Sequence, residues 1–239
     1  MNIRELFRRA TFYLSVPCCP QCRERLEVDD LALCKDCKAK YEDFKGHRCS
    51  HCAKPFSECS CTNDYLSAHS VKRLIKIVRY RPADSTLPSN ALIYSLKRDN
   101  RRDVTDFIAG ELASSIKSQI ADANDYIITS VPRKRSSIKK YGYDHAEALG
   151  KSVARLLGAS YTQLLVSRSH REQKKLRGTQ RIDNAVFDYK SKRDLQKSKV
   201  IIVDDIVTTG ASIGNAAMLL RAAGAGKIVG AAFAISYKD

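Results

Sequence analysis

From about residue 65 onward the chain alternates between two spacings of apolar residues. Leu74–Tyr80 ("LIKIVRY") is a compact branched and aromatic run and predicts a strand. Pro82 and Pro88 mark the loop after it, and Ala91–Leu96 a short helical piece that ends at Lys97. Between Val104 and Ile120, residues Phe107, Ile108, Leu112, Ile116 and Ile120 recur at the spacing of one helix face. Tyr126–Pro132 ("YIITSVP") reads as a strand stopped by proline. Asp144–Leu157 sets Ala146, Leu149, Val153 and Leu156 on one helical face, with Gly158 to close it. Tyr161–Val166 predicts a short strand. Val200–Val203 predicts a strand buried on both faces. A helix over Ile213–Ala223, ended by Gly224, and a last strand over Ile228–Ser236 complete the pattern. Alternation of this kind predicts an α/β unit, a mainly parallel sheet flanked by helices. It is expected to span residues 65–239, after an N-terminal helix and a cysteine-rich module in residues 1–64.

The first residues add little to that picture. Leu6, Phe7, Ala10, Tyr13 and Leu14 have helical spacing, and Thr11, Ser15 and Pro17 interrupt the apolar stretch. A short helix packed on the body is expected, not an export signal. No apolar run approaches the roughly 20 residues needed to cross a bilayer, so no membrane span and a cytoplasmic location are expected. Charge says more. Lys and Arg number 42 against 26 Asp and Glu, a formal net charge of +16. That excess suits an anionic partner: a phosphorylated substrate, a nucleic acid or an anionic membrane surface.

All nine cysteines lie between Cys18 and Cys61. They read Cys19-x2-Cys22, Cys34-x2-Cys37, Cys49-x2-Cys52 and Cys59-x-Cys61. A Cys-x2-Cys turn aims two thiolates at one tetrahedral cation, and two such turns complete a four-cysteine zinc site. Eight ligands predict two structural zinc ions. The preferred pairing is consecutive: Cys19, Cys22, Cys34 and Cys37, then Cys49, Cys52, Cys59 and Cys61. A cross-braced pairing of the first turn with the third is open; Cys18 is the spare or a replacement for Cys19 at worse spacing, and His47 and His51 are substitute ligands or, as expected here, exposed bystanders. A disulfide framework would need an oxidising compartment. So short a module cannot bury a self-sufficient core, so the metal is expected to support it.

The richest stretch is "VIIVDDIVTTGAS", Val200–Ser212. Asp204 and Asp205 leave the buried strand at the sheet edge where α/β proteins bind ligands. Thr208, Thr209, Gly210, Ala211 and Ser212 then turn into a helix, whose free amides and positive end favour a phosphate. Two carboxylates would repel that phosphate, so they face hydroxyls or a metal. A ribose carrying a 5′-phosphate satisfies both halves. A phosphoacceptor receiver also has an acid pair after a strand, but too little chain follows Asp205 for one. "HAEALGKS" ends like a phosphate-binding P-loop at Gly150, Lys151 and Ser152. However, His145 stands where that motif needs glycine, and the stretch is helical throughout.

At nearly every position Val200–Ser212 resembles the phosphoribosyl pyrophosphate (PRPP) signature of type I phosphoribosyltransferases. Together with the cysteine turns, "SVPRKR", "YGYDHAEALGKSVA" and "QKKLRGTQRIDNAVF", the chain resembles the ComF/GntX family over essentially its whole length. The resemblance implies a zinc-ribbon module followed by a type I phosphoribosyltransferase fold. It implies Asp204 and Asp205 as ribose contacts and the acids of any catalysis, and Thr208–Ser212 as the 5′-phosphate nest. Val131, Pro132 and Arg133 become the pyrophosphate-side turn. Gln173, Leu176, Arg181 and Asn184 match a mobile segment. Mg²⁺ is expected to accompany PRPP. Family members are linked to natural transformation, which implies single-stranded DNA and other transformation proteins as partners. At Tyr141–His145 the chain departs from the common Arg-Gly-Phe-Asn-Gln and has "YGYDH".

Two basic stretches bear on this reading. Five of the eight residues in Arg133–Lys140 are basic, a diphosphate contact or a solvated loop. Ser167–Lys199 holds eleven Lys or Arg against four Asp or Glu. It reads as an active-site loop, a DNA track or a solvated connection. No element that would read a nucleobase edge is evident. PRPP binding is therefore the leading expectation. A working phosphoribosyltransferase of nucleotide salvage and a zinc-ribbon adaptor with a non-catalytic transferase fold are the alternatives.

Overall fold

A computed structural model describes residues 17–167, 187–190 and 195–236. The expected N-terminal helix and the residues Gln173, Leu176, Arg181 and Asn184 lie outside the described residues, as does most of the second basic stretch. Chain order begins with the cysteine turns and helix α1 (Lys35–Lys45), then α2 (Asp64–Ala68), β1 (Leu74–Arg79), α3 (Pro88–Arg98) and α4 (Arg102–Gln119). After these come β2 (Ile127–Ser130), α5 (Arg135–Tyr141), α6 (His145–Leu157), β3 (Ser160–Tyr161), β4 (Leu165–Ser167) and β5 (Phe187–Tyr189). The last elements are β6 (Lys199–Val207), α7 (Ala211–Ala222) and β7 (Lys227–Ile235).

Five strands form one parallel sheet in the order β1-β7-β6-β2-β3. The order reverses between β2 and β6, and in such sheets the crevice beyond that point holds the ligand. Ile201, Val203, Val229 and Phe233 point to one face, under α3, α4 and α6. Val200, Ile202, Ala232 and Ile235 point to the other, under α7. Burial on both faces explains why these strands read as continuous apolar runs.

The cysteine module shares both cores. On the first face Tyr41 of α1 lies edge-on to Phe107 of α4 with centroids 5.3 Å apart, and its hydroxyl donates to Glu111 at 2.9 Å. On the second, Phe56 and Cys59 pack with Leu66 and Leu74.

Four expectations are corrected. The strand expected over Tyr161–Val166 splits: β3 joins the main sheet, whereas β4 pairs antiparallel with β5. The helix read as Ala91–Leu96 runs from Pro88 to Arg98, with proline at its first turn, where a missing N–H costs nothing. Arg135–Tyr141, within the basic run read as a contact or loop, is a helix closed by Gly142. The strand expected to end at Val203 continues to Val207, so both acids lie within it and not after it. Cross-strand pairing to β7 holds that extension in place. Two helix ends match expectation. Asp144 caps α6 by accepting from the amides of Ala146 and Glu147, and Gly158 closes it in the left-handed region. Gly150 has a packing role: a Cβ there would lie 2.7 Å from the Tyr161 ring.

Candidate functional site

The site is built on the carboxyl ends of β2 and β6. Val131 donates its amide to the carbonyl of Val203 at 3.0 Å, which sets the start of the Val131–Arg133 turn against the residue just before the acid pair. Asp204 and Asp205 are neighbours in one strand and meet different surroundings. Asp204 is half-buried, and its Oδ1 accepts the Asp205 amide at 2.9 Å. Asp205 is buried, with Oδ2 lying 2.9 Å from Lys97 Nζ and 3.5 Å from His145 Nε2. Neither of these approaches reaches well-angled hydrogen-bond geometry.

That difference separates the two carboxyls. Burial, followed by the adjacent charge of Asp205, pushes the Asp204 carboxyl well above its ordinary value. Burial acts the same way on Asp205, but His145 and Lys97 outweigh it and hold this carboxyl well below the ordinary value. One acid is thus kept ionised by built-in partners. The other is pushed the opposite way by burial and by its ionised neighbour. The phenol of Tyr80 is pushed up to about 12, first by its bond to the Tyr94 hydroxyl and in smaller part by Asp205.

Beyond β6 the chain turns through Thr208 and Thr209, both exposed, and Gly210 at φ 89°. Ala211 donates its amide to Thr209 Oγ1 at 3.3 Å, and α7 begins. The first amides of α7 face this turn, as at any helix start. Helix α2 braces the turn from behind. Asn63 caps α2 by accepting the Leu66 amide at 2.9 Å, and donates from Nδ2 to the Thr209 carbonyl at 3.0 Å. A Cβ on Gly210 would lie 2.8 Å from Leu66 Cγ. Gly210→Ala is therefore expected to cost about 1–3 kcal/mol, through the forced left-handed backbone and the clash together. A urea melt of the variant reads that loss.

Lys97, His145 and Asn63 were not assigned site roles from the sequence. Lys97 reads only as the end of a short helix, and Asn63 carries no sequence signal. A signal existed for His145, which lies in the segment that departs from the family pattern. In that segment Asp144 caps α6, and the Tyr143 hydroxyl donates to the Leu96 carbonyl while accepting the Asn100 amide at 3.1 Å. The segment thus ties α6 to α3, the two helices that supply His145 and Lys97.

The cysteines gather into two clusters, Cys19, Cys22, Cys34 and Cys37, and Cys49, Cys52, Cys59 and Cys61. Within each, the ligand atoms lie within 4.8 Å of one another. This is the consecutive arrangement. Two of the turns are built alike. Cys19 donates to Glu24 and accepts from Arg23, as Cys49 donates to Lys54 and accepts from Ala53. Arg23 and Ala53 both take the left-handed backbone that follows such a knuckle. Four converging soft donors with Sγ–Sγ approaches of 3.5 Å suit a tetrahedral thiolate-bound ion. His47 bonds instead to the Phe44 carbonyl. Among the described residues, no helix is long and apolar enough to cross a membrane.

Comparison with known proteins agrees with this geometry. Residues 144–238 match the model of the phosphoribosyl transferase domain. The chain is 23% identical over 202 residues to competence protein ComFC of Bacillus subtilis, covering 80% of this chain and 78% of that protein. It is 26% identical over 204 residues to ComFC of Streptococcus pneumoniae, covering 84% and 86%. DNA utilization protein YhgH of Escherichia coli is 25% identical over 224 residues, covering 90% and 96%. The α/β unit is thus a type I phosphoribosyltransferase fold, preceded by cysteine clusters that could be zinc ribbons. Over most of its length the chain is thus similar to ComF-type competence proteins.

Proposed function

We propose that the chain binds PRPP with Mg²⁺ at the end of β6, and acts as a ComF-type protein in the cytosolic handling of incoming single-stranded DNA. The observation that carries the binding reading is the acid pair one turn before the Gly210 nest, Asp205 buried against Lys97 and His145 beside the half-buried Asp204. Asp205, kept ionised by Lys97 and His145, accepts from ribose hydroxyls. The amides and hydroxyls of Thr208–Ser212 hold the 5′-phosphate. Arg133 meets the diphosphate from the β2 side. A divalent cation fits beside Asp204, because a carboxyl pushed up by burial and a like charge gains most from a nearby cation. Mg²⁺ would neutralise the diphosphate oxygens. Zn²⁺ fits the two thiol clusters and would hold residues 17–61 in shape.

The DNA reading draws on the relatives, named as competence and DNA utilization proteins, and on the +16 charge. Domain limits at residues 1–64 and 65–239 are part of this proposal. Calorimetric titration of PRPP with Mg²⁺ tests the site. Saturable heat is expected for the zinc-loaded protein and none for an Asp204→Asn, Asp205→Asn double variant; a folded wild-type chain giving no heat would sink the reading. Single-strand affinity that falls steeply with salt would support the DNA role, since counterions are released on phosphate contact.

A further inference from the structure

Lys76 lies near the middle of β1 with 1% of its surface exposed. A buried ammonium needs an opposite charge or a full set of acceptors. Lys76 Nζ lies 3.1 Å from Cys59 Sγ and 2.7 Å from the Cys61 carbonyl, over the ring of Phe56 at 6.0 Å. Both polar partners belong to the second cysteine cluster, and the lysine belongs to the transferase sheet. A divalent ion on four thiolates leaves two negative charges uncompensated. An ammonium against one sulfur removes half of that excess and fixes the ligand's orientation, as outer-shell partners do.

The attachment continues around the cluster. Leu74 of β1 donates its amide to the Ser60 carbonyl at 3.1 Å, and Gln119 of α4 donates to the Ser57 carbonyl at 2.9 Å. The loop carrying Cys59 and Cys61 is therefore seated on the transferase unit by these two bonds as well as by the lysine.

We propose that Lys76 is a positioning residue and built-in counter-cation of the second four-cysteine site, so that metal retention there depends on the transferase sheet. The inference rests on the zinc reading above. The test measures zinc content of the whole chain by mass spectrometry, then release to a colorimetric chelator. Wild-type protein is expected to hold two ions. In K76M and K76Q one ion should leave about 10–100-fold faster, the scale of lost outer-shell partners, and the other at the wild-type rate. K76R, which keeps the charge but alters the donor geometry, should release both ions at near the wild-type rate.

Cobalt substitution adds a readout that general loosening would not give. The thiolate-to-cobalt band of one site should shift in K76M and of neither site in a surface control such as K38M. Folded variants that release both ions at wild-type rates overturn the inference, and so does equal acceleration of both. If K76M and K76Q fail to fold, K76R decides: its altered donor geometry should shift one site's cobalt band, and unmoved bands overturn the inference. A wild-type chain without metal overturns the zinc reading and takes this inference with it. Full wild-type occupancy with unmoved Lys76 variants overturns this inference alone.

Discussion

Under the zinc reading, a strong chelator is expected to unfold residues 17–61 and to lower the melting temperature of the whole chain. Structural zinc is worth about 10–16 kcal/mol in small finger peptides at neutral pH, more than a typical domain's entire stability. Residues 17–61 have little else of their own. Leu26, Leu33, Tyr41 and Phe44 are buried, but they are buried partly against the transferase unit. Losing the metal should therefore do two things. The cysteine turns become open to protease, with early cuts between about residues 45 and 62. The sheet survives but melts lower, because Phe56 and Cys59 leave the core they share with Leu66 and Leu74. For a chain of this size each kcal/mol lost corresponds to about 2–4 °C. Calorimetric scans with and without chelator, joined to limited proteolysis, check both parts. Unchanged protease resistance after complete metal removal would show that the module folds without metal.

Opposite effects on stability are expected from the two acid variants, though under the proposed PRPP reading both should abolish ligand binding. Asp205→Asn takes the charge away from Lys97 and His145. Removing one partner of a buried pair costs about 3–5 kcal/mol; since the Lys97 side chain keeps 29% of its surface exposed, the lower end applies. A fall of roughly 6–12 °C in melting temperature follows. Asp204→Asn replaces a carboxyl that burial and its neighbour disfavour as an anion. The ligand-free protein should become more stable by about 1 kcal/mol, a rise of roughly 2–4 °C, at the cost of function.

The pH dependence separates them further. Asp205 is depressed below its ordinary 3.8, so its stabilisation is present above that value and is lost as pH falls beneath it. Asp204 is raised, so the folded state holds a proton that the unfolded state has released, and stability declines as pH rises above 3.8. Asp205→Asn should flatten the acid limb of a stability–pH curve, and Asp204→Asn the decline on the neutral side. Parallel curves for the two variants would contradict the split. Denaturant melts from about pH 3 to 8 provide the comparison.

Much of this architecture was legible in the chain itself, for identifiable reasons. Helices α4 and α6 have one apolar face and one polar, so their periodicity survives in one dimension. Asp144 and Gly158 mark α6 because capping chemistry is local. The cysteine turns were legible because ligand spacing is fixed by the metal's size. The extension of β6 to Val207 was not, since Asp204 and Asp205 break the apolar run and only pairing with β7 keeps them extended. Splitting of Tyr161–Val166 between two sheets was equally invisible, because each half is too short for a pattern and its partners lie far along the chain.

What the sequence determined alone is the inventory: a parallel α/β unit, eight cysteines in four turns, and an acid pair before a glycine-bearing turn. These are local properties, set by side-chain period, backbone freedom and ligand spacing. Only the tertiary structure decided what each member of that inventory faces. It put Lys97 and His145 against Asp205, Asn63 and Leu66 behind the Gly210 turn, and Lys76 against Cys59. Charge and burial act through space, and residues that meet across a sheet or between helices leave no mark of that meeting in their order along the chain.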